Sequence, residues 1–128
     1  MVVASSASLT SGVAGRYATA LFEIAKESGQ LDQVAADLAT FQAALDDSAD
    51  LREMIHSPVF TREDQGNAIR VLAGKMGLGA SVTNTLLLMA QNRRLFVVPG
   101  LIAGVRALIA DARGEVTAEV STAKPLTQ

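Results

Sequence analysis

The sequence predicts a mainly α protein: a compact six-helix bundle followed by the first strand of a further, truncated domain. Three observations predict it. Apolar residues recur at three- and four-residue spacing through most of the chain. The hydrophobic fraction is 49% while aromatics make up only 4%, so Leu, Ile, Val and many Ala must build a core of closely packed helices. Finally, Gly and Pro cut the pattern into segments joined by short connections, which favours antiparallel neighbours in a bundle. At 128 residues the chain has room for one such domain and the start of a second.

Residues 1–12 read as a flexible, polar lead-in. The first helix covers about residues 13–28 and stops at Gly29. The second, about 31–45, puts Leu31, Val34, Ala35, Leu38, Phe41 and Leu45 on one narrow stripe. A short third helix over 51–56 ends at Ser57-Pro58. The fourth opens at Thr61, whose spacing from Asp64 fits a capping box that satisfies orphan backbone amides, and it ends at Gly77-Leu78-Gly79. A fifth helix spans about 81–92. The sixth begins near Pro99, carries Leu101, Ile102, Val105, Leu108, Ile109 and Ala112 on one face, and ends before Gly114.

After Gly114 the period changes to two. Val116, Ala118 and Val120 alternate with Thr117, Glu119 and Ser121 before Pro125, which predicts a half-buried strand. A lone strand leaves its edges unpaired. Residues 114–128 are therefore expected to open another domain, with the remainder absent.

Composition and motifs exclude several classes of function. Eleven basic residues nearly balance thirteen acidic ones and the pI is near 5.3. Such a balance lacks the basic footprint that nucleic acid requires. Without cysteine there are no disulfides, thiolate zinc sites or cysteine nucleophiles. No uncharged apolar run approaches the roughly 20 residues that span a bilayer. The run at 86–90 is read as the longest, and Asn84, Gln91, Asn92, Arg93 and Arg94 flank it. The N-terminus lacks the basic and apolar regions of a secretion signal, so a soluble chain without membrane insertion is expected.

His56, the single histidine, suits a helix C-terminus better than a phosphorelay site, and one imidazole builds neither a histidine triad nor a multi-histidine metal site. Asp46, Asp47 and Asp50 lack the glycine-centred loop and distal glutamate of a calcium motif, and read as solvated helix ends. The glycines of 74–79 superficially resemble a phosphate loop, but Met76 and Ile69 stand where the Walker pattern needs Ser or Thr and Gly. Asn92-Arg93-Arg94 suits either an anion or, better, the negative end of a helix dipole. The expectation is no catalytic residue, no cofactor and no metal.

Two helices carry more apolar surface than a bundle needs. A helix packed on a core uses a stripe somewhat wider than about 100°. On a wheel advancing about 100° per residue, Val13, Tyr17, Ala20, Leu21 and Ile24 form one stripe of the first helix. Ala14, Ala18, Phe22 and Ala25 form a second beside it, so together they cover roughly 200°. The polar arc is compressed to Arg16, Thr19, Glu23, Lys26 and Glu27. In the fifth helix Leu86, Leu87, Leu88 and Met89 are consecutive, and Leu88 falls among Asn84, Gln91 and Asn92 on the polar face. Two readings stand at this point. Either both helices are buried all round, or they share a groove for an amphipathic helix of a partner. Tyr17 suits the lip of a groove, its ring buried and its hydroxyl wet.

Four motifs carry a resemblance. Arg16-Tyr17-Ala18-Thr19-Ala20-Leu21-Phe22-Glu23-Ile24-Ala25 resembles the opening helix of the delta subunits of F-type ATP synthases and of their mitochondrial counterpart, the oligomycin-sensitivity-conferring protein. The family pattern is roughly R-Y-A-x-A-L-F-x-x-A. Ser57-Pro58-Val59-Phe60, Asn92-Arg93-Arg94-Leu95 and Ala118-Glu119-Val120-Ser121-Thr122-Ala123 before Pro125-Leu126 match in order and spacing. The match extends from about Val13 to the end, and the four motifs in register make it fairly specific.

The resemblance implies a six-helix N-terminal domain over residues 13–113 and an α/β C-terminal domain of which 114–128 are the beginning. It implies a non-catalytic stator subunit, one copy per hetero-oligomeric complex, on the cytoplasmic side of the bacterial inner membrane. Its partners would be the N-terminal helices of alpha subunits and, through the missing domain, b-type stalk subunits. In the family, helices one and five form the groove for the alpha-subunit helix. Carried onto matching positions, this implies Tyr17, Ala20, Leu21 and Ile24 from helix one, and Asn84 and Leu88 from helix five. Ala20 would matter through its smallness. Arg93 departs from the small residue that many relatives have there. A generic helical adaptor for some other amphipathic helix is the alternative expectation.

Overall fold

The structure, a computed structural model, describes the backbone of residues 12–121 and the side chains of residues 12–113. Six α-helices follow one another among the described residues. They are α1 (Gly12–Glu27), α2 (Leu31–Asp47), α3 (Ala49–His56), α4 (Arg62–Met76), α5 (Ala80–Gln91) and α6 (Val98–Ser121), with a 3-10 turn at Leu95–Val97 before the last. The mainly α bundle expected from the sequence is what the chain forms. The expected lead-in lies almost wholly outside the described residues.

The helix ends follow from local chemistry. Gly29 and Gly77 both take φ of +69°, the left-handed conformation that lets the next amide reach back over the last turn. Gln30 N–H accordingly donates to the Ala25 carbonyl at 2.7 Å, and Leu78 N–H to the Ala73 carbonyl at 3.0 Å. Ser48 caps α3 by accepting from Leu51 N–H at 3.1 Å. The capping box of α4 is formed: Asp64 N–H donates to Thr61 Oγ1 at 3.0 Å and Thr61 N–H to the Asp64 carboxylate at 3.3 Å.

Isolated helices of this length are marginal in water, so packing must hold them. Leu21, Leu38, Phe41, Ile69, Leu86, Met89, Leu101 and Ile102 are all essentially inaccessible to solvent. Each such side chain contributes about 1.5–3 kcal/mol by leaving water. The most extensive packing is between α1 and α6, followed by α4 on α5. Small residues are buried on both helices: Gly15 and Ala18 on α1 and Gly104 on α6. A Cβ on Gly100 would stand 2.8 Å from the Ala14 Cβ, so the two backbones approach as closely as glycine permits.

Two expectations are corrected. The strand expected over 116–120 is helical, because α6 continues without a break to Ser121. Val116 and Val120 are four residues apart, a spacing that fits one face of a helix as well as alternate positions of a strand. A strand with no neighbour leaves its amides and carbonyls unpaired, whereas a helix satisfies them internally. Residues 122–128, the rest of that expected domain start, lie outside the described residues. The most apolar stretch is also not 86–90. Leu95–Arg113 is apolar enough, by length and composition alone, to cross a membrane. Its inward side chains Leu95, Val98, Leu101, Ile102, Val105 and Ile109 are buried in the bundle core, which accounts for that hydropathy.

Candidate functional site

The two helices with surplus apolar surface lie side by side. α1 buries Gly15, Ala18, Leu21, Phe22 and Ala25 against the bundle. Val13, Tyr17, Ala20 and Ile24 recur every three or four residues on the adjoining face, so they share a stripe that the core does not cover. α5 buries Val82, Leu86, Met89 and Ala90 and turns Leu88 outward. Ile24 is 49% exposed and Leu88 52%, among the few large hydrophobic side chains left so open. Taking such a side chain from full exposure to full burial is worth about 1.5–3 kcal/mol, so covering the half still open would gain roughly half of that.

Between the helices lies an open trough of about 570 Å³. Tyr17, Ala20 and Leu88 form its apolar lining, with Val13 at one side. Asn92 Nδ2 donates to the Tyr17 hydroxyl at 2.9 Å and ties the start of α1 to the end of α5. Tyr17 is only partly buried, as a side chain on the lip of a groove would be. The small, exposed Ala20 leaves the trough open on its α1 side.

The six expected residues therefore divide. Tyr17, Ala20 and Leu88 come together. Ile24 continues the same stripe one turn further along α1, and exposed Asn84 lies one turn before Leu88 on α5. Leu21 does not join them: it is fully buried and belongs to the core. On a wheel it sits at the border between the two stripes, and patterning alone does not say which side it takes.

Three polar residues of the trough were not anticipated as such, Asn92 after α5 being one of them. Arg16 was read as part of the polar arc and Arg94 as a helix-end cation, yet both line the trough. The reason lies in the turn after α5. Arg93 adopts φ of +59°, so the chain doubles back and Arg94 N–H donates to the Met89 carbonyl at 2.7 Å. The Arg93 guanidinium points the other way and donates to the Phe60 carbonyl at 2.7 Å and to Gln65 Oε1. Gln65, buried beneath it, donates to the Met54 carbonyl at 3.0 Å. Arg93 thus fastens the α3–α4 connection to the end of α5, while Arg94 is left at the trough.

Elsewhere, His56 ends α3 with Nδ1 2.9 Å from the Arg52 carbonyl, a helix-end role. Asp46 accepts from Gln42 Nε2. A second apolar depression, about 480 Å³, lies between α3 and α4, where Leu51, Met54, Val71 and Leu72 meet. The sequence pattern did not single it out. Among the described residues no group of three His, Asp or Glu side chains gathers as a metal site would require. What the trough offers is an open shape with an apolar floor and two arginines in its wall.

Comparison with known proteins narrows the field. The family profile of the ATP synthase delta (OSCP) subunit matches residues 13–128. The chain is similar to the ATP synthase subunit delta of Rhodobacter capsulatus, with 52% identity over 94% of this chain and 64% of that protein. It is 53% identical to that of Roseobacter denitrificans over 95% of this chain and 66% of the relative. For Rhizobium johnstonii the identity is 51% over 100% of this chain and 68% of the relative. The chain therefore spans about two thirds of these proteins, and slightly less for the first two. Among solved structures, one chain of the cryo-EM structure of the Toxoplasma gondii mitochondrial ATP synthase hexamer aligns with a TM-score of 0.69 and 30% identity. That alignment covers 73% of this chain and 52% of the other.

Proposed function

Because the chain belongs to the ATP synthase delta (OSCP) subunit family, we propose that it serves as a non-catalytic stator subunit of a proton-translocating F-type ATP synthase. In this reading the bundle seats the N-terminal helix of an alpha subunit in the α1–α5 trough. The domain that residues 114–128 open would join b-type stalk subunits, as one copy in a complex on the cytoplasmic side of the bacterial inner membrane.

The observation that carries this reading is that Tyr17 and Ala20 of α1 line one trough with the half-exposed Leu88 of α5. An amphipathic helix laid there would cover these side chains and Ile24 with its own apolar face. A stator must resist rotor torque without letting go, so slow release matters more than fast capture. A standard interface of about 1,600 Å² with a few aliphatic anchors suffices for that.

Calorimetric titration of the 128-residue chain with a synthetic alpha-subunit N-terminal helix tests the proposal. One-to-one, submicromolar binding is expected. Ala20→Trp, which fills the trough, and Leu88→Asp, which sets a charge against the incoming apolar face, should each weaken it by about tenfold or more, at least about 1.4 kcal/mol. Both positions are exposed, so circular dichroism should show both variants folded. Absence of binding by the folded wild-type chain would remove the stator reading, and equal binding of an unrelated amphipathic helix would favour a general adaptor.

A further inference from the structure

The face that carries the trough is electrically uneven along α1. α1 and α5 run antiparallel beside it, since Tyr17 in the second turn of α1 meets Asn92 at the end of α5. At that end Arg16 and Arg94 line the trough with no acidic neighbour in its wall. Both are exposed, and neither has an ion-pair partner among the described residues. Seven and eleven residues beyond Arg16, on the same side of α1, stand the exposed Glu23 and Glu27. At about 1.5 Å per residue they lie roughly 10–17 Å further along α1, past Ala20, the last α1 residue of the trough lining. Lys26 pairs with neither among the described residues, and its ammonium lies over the Phe22 ring, 5.9 Å from the centroid. The exposed positions of α5 are Ala80, Asn84, Leu88 and Gln91, and all are uncharged.

The dipoles of the two walls nearly cancel. At the Arg16 end, the positive N-terminus of α1 stands beside the negative C-terminus of α5, and the reverse holds at the other end. Side-chain charge is left to decide how a docked helix lies. That helix brings partial positive charge at its own N-terminus and partial negative charge at its C-terminus.

We propose that the trough accepts its helix in one direction only: C-terminal end, with an acidic side chain, against Arg16 and Arg94, and N-terminal end beside Glu23 and Glu27. The docked helix then runs antiparallel to α1 and parallel to α5. This rests on the docking reading above and adds its polarity. Exposed ion pairs are individually weak, but two cations at one end and two carboxylates at the other all favour the same direction. A fixed direction in turn sets where the rest of the partner chain leaves the trough.

The experiment uses two synthetic alpha-subunit N-terminal helices carrying a nitroxide at one end or the other, each bound to the isotopically labelled 128-residue chain. The C-terminal label should broaden the amide resonances of Arg16, Tyr17 and Arg94. The N-terminal label should broaden those of Ile24, Glu27 and Ser81. Replacing both arginines, Arg16→Glu with Arg94→Glu, should weaken binding about three- to tenfold at low salt, with the difference shrinking as salt is raised. Reversed or evenly shared broadening, or unchanged affinity after charge reversal, would overturn the polarity while leaving docking intact. Failure of the wild-type chain to bind either peptide would overturn the docking reading beneath it.

Discussion

Arg93 holds a backbone conformation that its neighbours at equivalent helix ends leave to glycine. Gly29 and Gly77 reverse the chain after α1 and α4 without steric cost, while Arg93 does so after α5 with a Cβ present. Its charge-assisted bond to the Phe60 carbonyl offsets that strain. Arg93→Ala keeps the strain and loses the bond, and should lower stability in urea unfolding by about 2 kcal/mol. Arg93→Gly also loses the bond but relieves the backbone, so about 1 kcal/mol of the loss should return. The sequence identified Asn92-Arg93-Arg94 as a helix end. It did not disclose the sign of φ, because the residue types that usually mark it, Gly and Asn, do not stand at position 93. Nor did it separate Arg93 from Arg94, whose side chains leave the same turn in opposite directions.

Among the elements, α5 owes its position to a contact that no local pattern announces. Asp37, buried on α2, accepts from Gly79 N–H at 2.8 Å, 42 residues away, just before α5 begins. Its other oxygen accepts from Gln33 Nε2 at 2.8 Å. This carboxylate does for α5 what a side-chain cap would do, since Gly79 has none to offer. Asp37→Ala should cost about 1–3 kcal/mol by orphaning a partly buried amide. Asp37→Asn, which can still accept, should cost less, and faster hydrogen exchange at Gly79 in the alanine variant would report the release. Helices were the legible part of this sequence: Gly29, Pro58 and the Thr61–Asp64 box located three boundaries by local chemistry alone. The last helix was misjudged where five alternating residues, 116–120, fit two periods equally. There the decision rested on whether a strand had anything to pair with.

For the molecule as a whole, core and trough meet along one helix, and adjacent residues serve different ends. Leu21 is fully buried and Ile24 half-exposed, less than one turn apart. Leu21→Ala should therefore cost about 2–5 kcal/mol in stability. Ile24→Ala should change stability by no more than about 0.5 kcal/mol, and should instead weaken the titrated alpha-subunit helix. If the two variants behaved alike in both assays, the division between core and trough would be wrong. That a trough existed was legible, because an apolar arc of roughly 200° exceeds what one core can cover. Which residues form it was only half legible, since an arc has borders and Leu21 lies on one. The seam behind α1 has a mechanical consequence. Where Gly100 meets Ala14, two backbones touch with no long side chain between them to tilt, slip or change rotamer. Such a joint is stiff. A pull applied to α1 passes into α6 and along its 24 residues with little rotation lost between the helices, so any elastic give must arise outside this pair.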